Sequence, residues 1–267
     1  MKNLVIAVLS LLLLISCSSR DKKYEYKKEI KLKGMNPISI AVDEDGIWVS
    51  DSKNNEIVKI NKNGKVLNKY TGFKRPMHIS LFNRKVFVPE YLNDSIKVIE
   101  NGKVLPFTLS IKPDAPGGID VSGTLIVIAD FYNHRIIVKN GNNTFTFGKK
   151  GHNAGELFYP TDVKIVNDKI VVADAYNNRV QIFSVKGKFL KVIGEKNSIK
   201  VATGIDANES KIVVADSGNN SVIIYDWDGN KIQVLTKNLK YPIDATIYGD
   251  KIFICNFHVG SIVVYNK

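Results

Sequence analysis

Pro160-Thr161-Asp162-Val163 opens a segment that continues through Ile170-Val171-Val172-Ala173-Asp174 to Asn177-Asn178-Arg179-Val180-Gln181-Ile182-Phe183. It reads as a proline start, a strand, a second strand rich in β-branched residues and ending in aspartate, an asparagine turn, and a third strand. The same order recurs along the chain. Pro37-Ile38-Ser39-Ile40 leads to Ile47-Trp48-Val49-Ser50-Asp51 and Asn54-Asn55. Pro76-Met77-His78-Ile79 leads to Val86-Phe87-Val88-Pro89-Glu90 and Asn93-Asp94. Pro116-Gly117-Gly118-Ile119 leads to Ile126-Val127-Ile128-Ala129-Asp130 and Asn133-His134-Arg135. Ala202-Thr203-Gly204-Ile205 leads to Ile212-Val213-Val214-Ala215-Asp216 and Asn219-Asn220, and Pro242-Ile243-Asp244-Ala245 to Ile252-Phe253-Ile254-Cys255-Asn256. A repeat of about 40 residues built from short strands matches one four-stranded propeller blade. Six repeats predict an all-β, six-bladed β-propeller with no helical segments. Asp45-Gly46 and Asn63-Gly64 suit tight hairpins, because glycine tolerates positive φ. Asp226-Trp227-Asp228-Gly229-Asn230 is read as another hairpin turn, since it lacks the length and distal glutamate of a calcium loop.

The sixth repeat ends after Ser261-Ile262-Val263-Val264-Tyr265, one strand short. The alternating stretch Lys28-Glu29-Ile30-Lys31-Leu32-Lys33 can supply the missing strand and close the ring, which removes exposed sheet edges. Residues 28–267 are therefore expected to form the propeller.

Ahead of it, Met1-Lys2-Asn3 precedes an apolar run, Leu4 to Ile15, too short for a comfortable membrane span of about 20 residues. The run ends in Leu14-Ile15-Ser16-Cys17, which resembles a bacterial lipobox. This predicts a signal peptide over 1–16, lipid on Cys17, and a short linker over 17–27. Ser18 after the cysteine resembles an outer-membrane sorting signal, so the expected place is the bacterial cell envelope, lipid-anchored at the outer membrane. The second cysteine, Cys255, then has no partner and reads as a small buried residue, so no disulfide framework is expected.

The formal net charge is +12, of which residues 1–16 contribute only Lys2. An exported protein rarely meets nucleic acid, so anionic head groups, acidic glycans or a solvated lysine surface account better for the charge. The 44% hydrophobic content supports a folded core.

The residues resemble NHL repeats. Phe147-Gly148-Lys149-Lys150-Gly151-His152-Asn153-Ala154-Gly155-Glu156-Leu157-Phe158-Tyr159-Pro160 carries the resemblance most clearly, with Val172 through Phe183. It covers nearly the whole chain after residue 27. It weakens in repeat two, where Glu90 replaces the aspartate, and in repeat six, where Asn256 and Val259 stand in for aspartate and asparagine. Some relatives by fold are lyases with histidine-bound zinc or metal-dependent lactonases, and some NHL proteins bind RNA. The export signal argues against the last role.

Asp51, Asp130, Asp174 and Asp216 recur in nearly every repeat, so they are read as turn-holding groups, not as catalysts. In a propeller the inner-strand starts (Ser39, His78, Gly118, Asp162, Gly204, Asp244) and the loops after the second strands share one face. Those loops carry Tyr91, Phe131, Tyr132, His134, Arg135, Tyr176, Arg179, Phe257 and His258. Tyr91, Phe131, Tyr132, Arg135, Tyr176 and Arg179 are the expected binding face, suited to an envelope protein or a glycan. They equally suit rings that cover neighbouring loops. No nucleophile elbow, phosphate loop or His-x-x-x-His pair is present. The preferred reading is a non-catalytic binding or scaffolding lipoprotein, a monomeric propeller held at the membrane by its lipid. The alternative is a metal-dependent lyase or hydrolase with its site in the central channel. For that alternative, His78, Asp162 and Asp244 alternate with small residues around the ring and could ligate a divalent metal.

Overall fold

The computed structural model describes residues 23–194 and 198–267. Residues 1–22 lie outside the described residues, and with them the expected signal peptide, Cys17 and most of the linker. Six four-stranded antiparallel sheets form the six blades. Among the described residues only two single-turn 3-10 segments, Ala175–Asn177 and Ser217–Asn219, interrupt the strands. The inner strands are Pro37–Val42, Ser80–Phe82, Pro116–Ser122, Pro160–Val166, Ala202–Asn208 and Pro242–Tyr248. In the first five blades each is followed by a second, a third and an outer strand in order, and in blade six by a second and a third.

The second strands run apolar without alternation because both of their faces are covered. Ile170, Val171, Val172, Ala173 and Asp174 are all fully buried. The core is accordingly a ring of inter-blade layers. Val171 and Ala173 of blade four pack with Ile205, Ala207, Ile212 and Val214 of blade five, and equivalent clusters fill the other junctions. Outer strands such as Lys231–Leu235 face water and alternate.

Blade six takes its outer strand from the start of the chain. Glu25–Lys31 pairs antiparallel with Ser261–Asn266, Ile30 opposite Ile262 and Tyr26 opposite Tyr265. The strand begins three residues before the expected Lys28 and stops before Leu32. A bulge between Tyr26 and Lys28 breaks the alternation there, which hid the first turn of the ladder. Tyr24, just ahead, is buried, and Gln233 anchors it by accepting from its N–H and donating to its carbonyl.

The recurring acids hold each blade to the chain that enters it. All four aspartates are fully buried. Asp130 Oδ1 accepts from Asp114 N–H, Asp174 Oδ1 from Phe158 N–H and Asp216 from Lys200 and Val201 N–H. Glu90 does the same for Lys74 N–H with a longer arm, and Asn256 for Lys240 N–H. Five residues with φ near +50°, Asn55, Asp94, His134, Asn178 and Asn220, close the following turn. Four of them also reach the next blade: Asn55, Asp94, His134 and Asn220 accept the N–H of Arg75, Ala115, Tyr159 and Tyr241, each just before a repeat-start proline.

Candidate functional site

Two groups of residues are candidates: the rings on the loop face and the polar side chains of the central channel.

On the loop face, the linker entering blade four and the loops after the second strands bring aromatic rings together across blades two to four. Tyr91 stands 5.7 Å from Tyr132 between centroids, and its hydroxyl is 2.6 Å from the Tyr132 hydroxyl. Phe131 touches Tyr91, Tyr132, Tyr159 and Tyr176. Tyr159 and Phe158 extend the run to Tyr176. Burial and the neighbouring Tyr132 hydroxyl push the Tyr91 pKa up to about 12. Arg75 caps the Tyr91 ring at 4.6 Å and Lys150 the Phe158 ring at 5.7 Å, both as cation–π contacts. Tyr132 is 48% exposed and Tyr176 60%. The rings thus do both things the sequence left open: they cover one another and present two rings to solvent.

Two of the expected binding residues are occupied otherwise. Arg179 Nε donates to Asp174, and its remaining nitrogens donate to the carbonyls of His152, Asn153 and Glu156. Its guanidinium holds the 152–156 loop. Arg135 Nε donates to Asp130 at 2.6 Å. A buried carboxylate five residues earlier draws each inward, and Arg135 keeps the greater exposure of the two. Phe257 and His258 form a separate group with Tyr241 on blade six. Arg75, Phe158 and Tyr159 belong to the patch and were missed. They sit immediately before or beside repeat-start prolines, at positions where the residue type changes from repeat to repeat.

In the channel, the third residue of each repeat points inward. A register shift follows the repeat start in five blades, and in blade four it sets Asp162, not Thr161, opposite Ala173. Such bulges re-aim a side chain. Blade two differs because Pro89 stands where other blades carry Ser50, Ala129, Ala173, Ala215 or Cys255. Proline offers no N–H to the inner strand. His78 pairs instead with blade three: its N–H donates to Gly117 O, and its carbonyl accepts from Ile119 N–H.

His78, Asp162 and Asp244 converge, one ligand atom from each lying within 4.8 Å of the others. His78 Nδ1 is 3.6 Å from Asp162 Oδ2 and 3.8 Å from Asp244 Oδ1, too long for hydrogen bonds. It is a buried polar atom without a hydrogen-bond partner. The carboxylates also join blades. Asp162 Oδ2 accepts from Ile205 N–H and Asp244 Oδ2 from Ile40 N–H, while Ser39 Oγ accepts from Ile79 N–H. Glycine is required between them: a Cβ on Gly118 would stand 2.5 Å from Asp162 Oδ1, and one on Gly204 2.7 Å from Asp244 Oδ1.

Burial is the main force that pushes the Asp162 pKa up, to about 7, with the Asp244 charge adding to it. Burial alone would lower the His78 pKa, but the two carboxylates more than reverse this and raise it.

A second polar layer escaped the sequence reading. Two residues further along the inner strands of blades two to six stand Ser80, Asp120, Lys164, Asp206 and Thr246, with Ala41 in blade one, and the period-two alternation of a strand is the signal for them. Ser80 Oγ donates to Asp120, and Lys164 Nζ lies 3.1 Å from Asp206 and 3.7 Å from Asp120. Burial works against the Lys164 charge, yet these carboxylates raise its pKa further. A cavity of about 170 Å³ runs along both layers, from His78 and Asp162 toward Val42 and Ile247 near the inner strands' ends. It therefore extends away from the aromatic patch.

Six closed blades with these repeats define a β-propeller of the six-bladed class. The family model described as 6-bladed beta-propeller matches residues 152–254. Brain tumor protein of Drosophila melanogaster is 34% identical over 85 residues, 30% of this chain and 8% of that protein. The E3 ubiquitin-protein ligase NHLRC1 of Homo sapiens is 34% identical over 80 residues, 29% of this chain and 20% of the ligase. The chain thus matches only a small part of these curated relatives. Virginiamycin B lyase from Staphylococcus aureus superimposes with a TM-score of 0.68 at 16% identity, covering 91% of this chain and all of the lyase. A chain of a nidogen/laminin complex does so at 0.61 and 17% identity, over 75% of this chain and 80% of that one. At such identities the likeness is one of fold. The chain folds as a six-bladed β-propeller, and about 30% of it is similar in sequence to these relatives.

Proposed function

We propose that this propeller is a binding module of the bacterial cell envelope, tethered by lipid on Cys17, that holds an acidic segment of a protein partner on the aromatic face of blades two to four. The carrying observation is the unbroken run of ring contacts from Tyr91 to Tyr176, with two rings half exposed. Rigid aromatic anchors beside basic groups are the residue types that concentrate binding energy in protein interfaces. Arg75 and Lys150 at the rings, on a chain of net charge +12, favour an acidic partner. The outer membrane is the proposed location, from Ser18 after the lipobox cysteine.

The full chain immobilised against solubilised envelope proteins should retain a protease-sensitive species that poly-glutamate displaces. Replacing Tyr132 and Tyr176 together by alanine should weaken retention by about 30-fold or more, at roughly 2 kcal/mol for an anchor residue. The melting temperature should hold, because exposed substitutions usually cost about 0.5 kcal/mol or less. Retention unchanged by the double substitution, or a species sensitive to glycosidase instead of protease, overturns the reading. Mass spectrometry of the cellular protein should find diacylglycerol on Cys17 as the first residue. A chain that keeps residues 1–16 refutes the tether.

A further inference from the structure

We propose that the central channel is a binding site for one divalent transition-metal ion, ligated by His78 Nδ1 and by one carboxylate oxygen each from Asp162 and Asp244. The site is independent of the aromatic face and uses none of its residues.

Three observations carry it. First, the three side chains come from blades two, four and six, and the intervening positions hold Ser39, Gly118 and Gly204. The gaps from His78 Nδ1, 3.6 and 3.8 Å, are too long for hydrogen bonds. They are the separations that two donors reach when each lies about 2.0–2.2 Å from one shared ion. Second, His78 is only 3% exposed, and its Nδ1 faces the two carboxylates without a hydrogen bond. A buried polar atom left in this way is destabilising, and a cation is the group that would satisfy it together with both acids. Third, the residues lining the cavity include four carboxylates, Asp120, Asp162, Asp206 and Asp244, against the one ammonium of Lys164. Lys164 is already held by Asp206 and Asp120. It forms no ion pair with Asp162 or Asp244, the two carboxylates that face the His78 imidazole. Buried carboxylates in such a setting need a cation or protons.

The surroundings suit ligation. Asp162 accepts from the amides of Val163 and Ile205, and Asp244 from those of Ala245 and Ile40. These outer bonds fix the direction of each carboxylate, as the shell behind metal ligands does. The glycines at 118 and 204 leave the carboxylates room that a side chain would take. One imidazole and two carboxylates favour zinc or manganese over calcium or magnesium, which prefer all-oxygen shells. The cavity beside the three donors leaves space for water to complete the coordination.

The full chain, stripped with a chelator and dialysed, is titrated separately with Zn²⁺, Mn²⁺, Ca²⁺ and Mg²⁺ by calorimetry, with elemental analysis of the product. One Zn²⁺ or Mn²⁺ per chain is expected, bound more tightly than Ca²⁺ or Mg²⁺. His78→Asn, Asp162→Asn and Asp244→Asn should each weaken it about 100-fold or more. His78→Asn is the decisive variant for folding, because Nδ1 makes no hydrogen bond that its loss would break. The control His152→Asn with His258→Asn, which removes exposed imidazoles, should bind as the parent does. The visible spectrum of the Co²⁺ form should change in His78→Asn. No binding beyond what the exposed histidines contribute, binding indifferent to His78→Asn, or a preference for Ca²⁺ overturns the proposal. Absence of binding would mean that protons alone neutralise the pocket.

Discussion

Asp174→Ala should destabilise the propeller by about 3–5 kcal/mol, the cost of removing one partner from a buried ion pair. At this chain length that is a fall in melting temperature of roughly 10 °C. The carboxylate is fully buried and serves four donors: Phe158 N–H at 2.7 Å, Asn177 Nδ2 at 2.9 Å, Arg179 Nε at 2.8 Å and Gln181 Nε2 at 2.9 Å. Alanine strands all four at once, and Gln181 is itself fully buried. Arg179 would lose the anchor from which it holds the 152–156 loop, so the damage should spread to the aromatic face through Phe158. Asn256→Ala is the internal comparison. That side chain occupies the same place in blade six but faces no arginine. It accepts from Lys240 N–H and donates to Asn238 O and Ser261 Oγ. Neutral bonds of this kind leave a smaller cost, about 1–3 kcal/mol when one partner is removed. Thermal melts of the two variants should therefore differ clearly. Equal losses would mean that the recurring acid works only as a turn former, without the arginine pairing.

This contrast marks how far the repeats could be read in advance. A repeat start that is usually proline, an apolar run and a closing acid or asparagine recur about every 40 residues, because both faces of the second strand are covered and the positions before its last residue are almost all apolar, with Ser50 a buried exception. The acids were legible as structural groups from their recurrence alone. Arg135 and Arg179 were not, since an arginine in a loop reads the same whether it meets a partner or a buried carboxylate behind it. In the channel, the convergence of His78, Asp162 and Asp244 follows from their shared repeat position. Two further facts depend on three-dimensional register. Pro89 diverts His78 to pair with blade three, and the layer of Asp120, Lys164 and Asp206 places the cavity on the side away from the rings. The first is marked in the sequence only by Pro89 itself and the second only by the period-two alternation of the inner strands.

Removing residues 1–34 should abolish the cooperative fold, and moving residues 23–34 to the other end of the chain should restore it. The segment buries Tyr24, Ile30 and Leu32 against blades five, six and one. At about 1.5–3 kcal/mol for each side chain, the loss is comparable with the whole stability of an ordinary domain, about 5–15 kcal/mol. Its absence also bares Ser261–Asn266 as an apolar edge, with Ile262, Val263 and Val264 open to pairing with other chains. The truncated protein should aggregate and show no sharp thermal transition. The register makes the rescue specific. Glu25 lies opposite Asn266 and Lys31 opposite Ser261, so a strand grafted after Lys267 through a short turn would run in the native direction. Blade five already makes such a connection through Asp226–Asn230, where Gly229 N–H donates to Asp226 O. The grafted chain would then build all six blades in the same way, each outer strand following its own third strand. Recovery of the parental melting temperature would show that the segment acts by closing the sheet. A truncated chain that melts as the parent does would refute the closure, and a graft that fails to rescue would mean that the continuous link into blade one, through Leu32 and Met35, carries the stability instead.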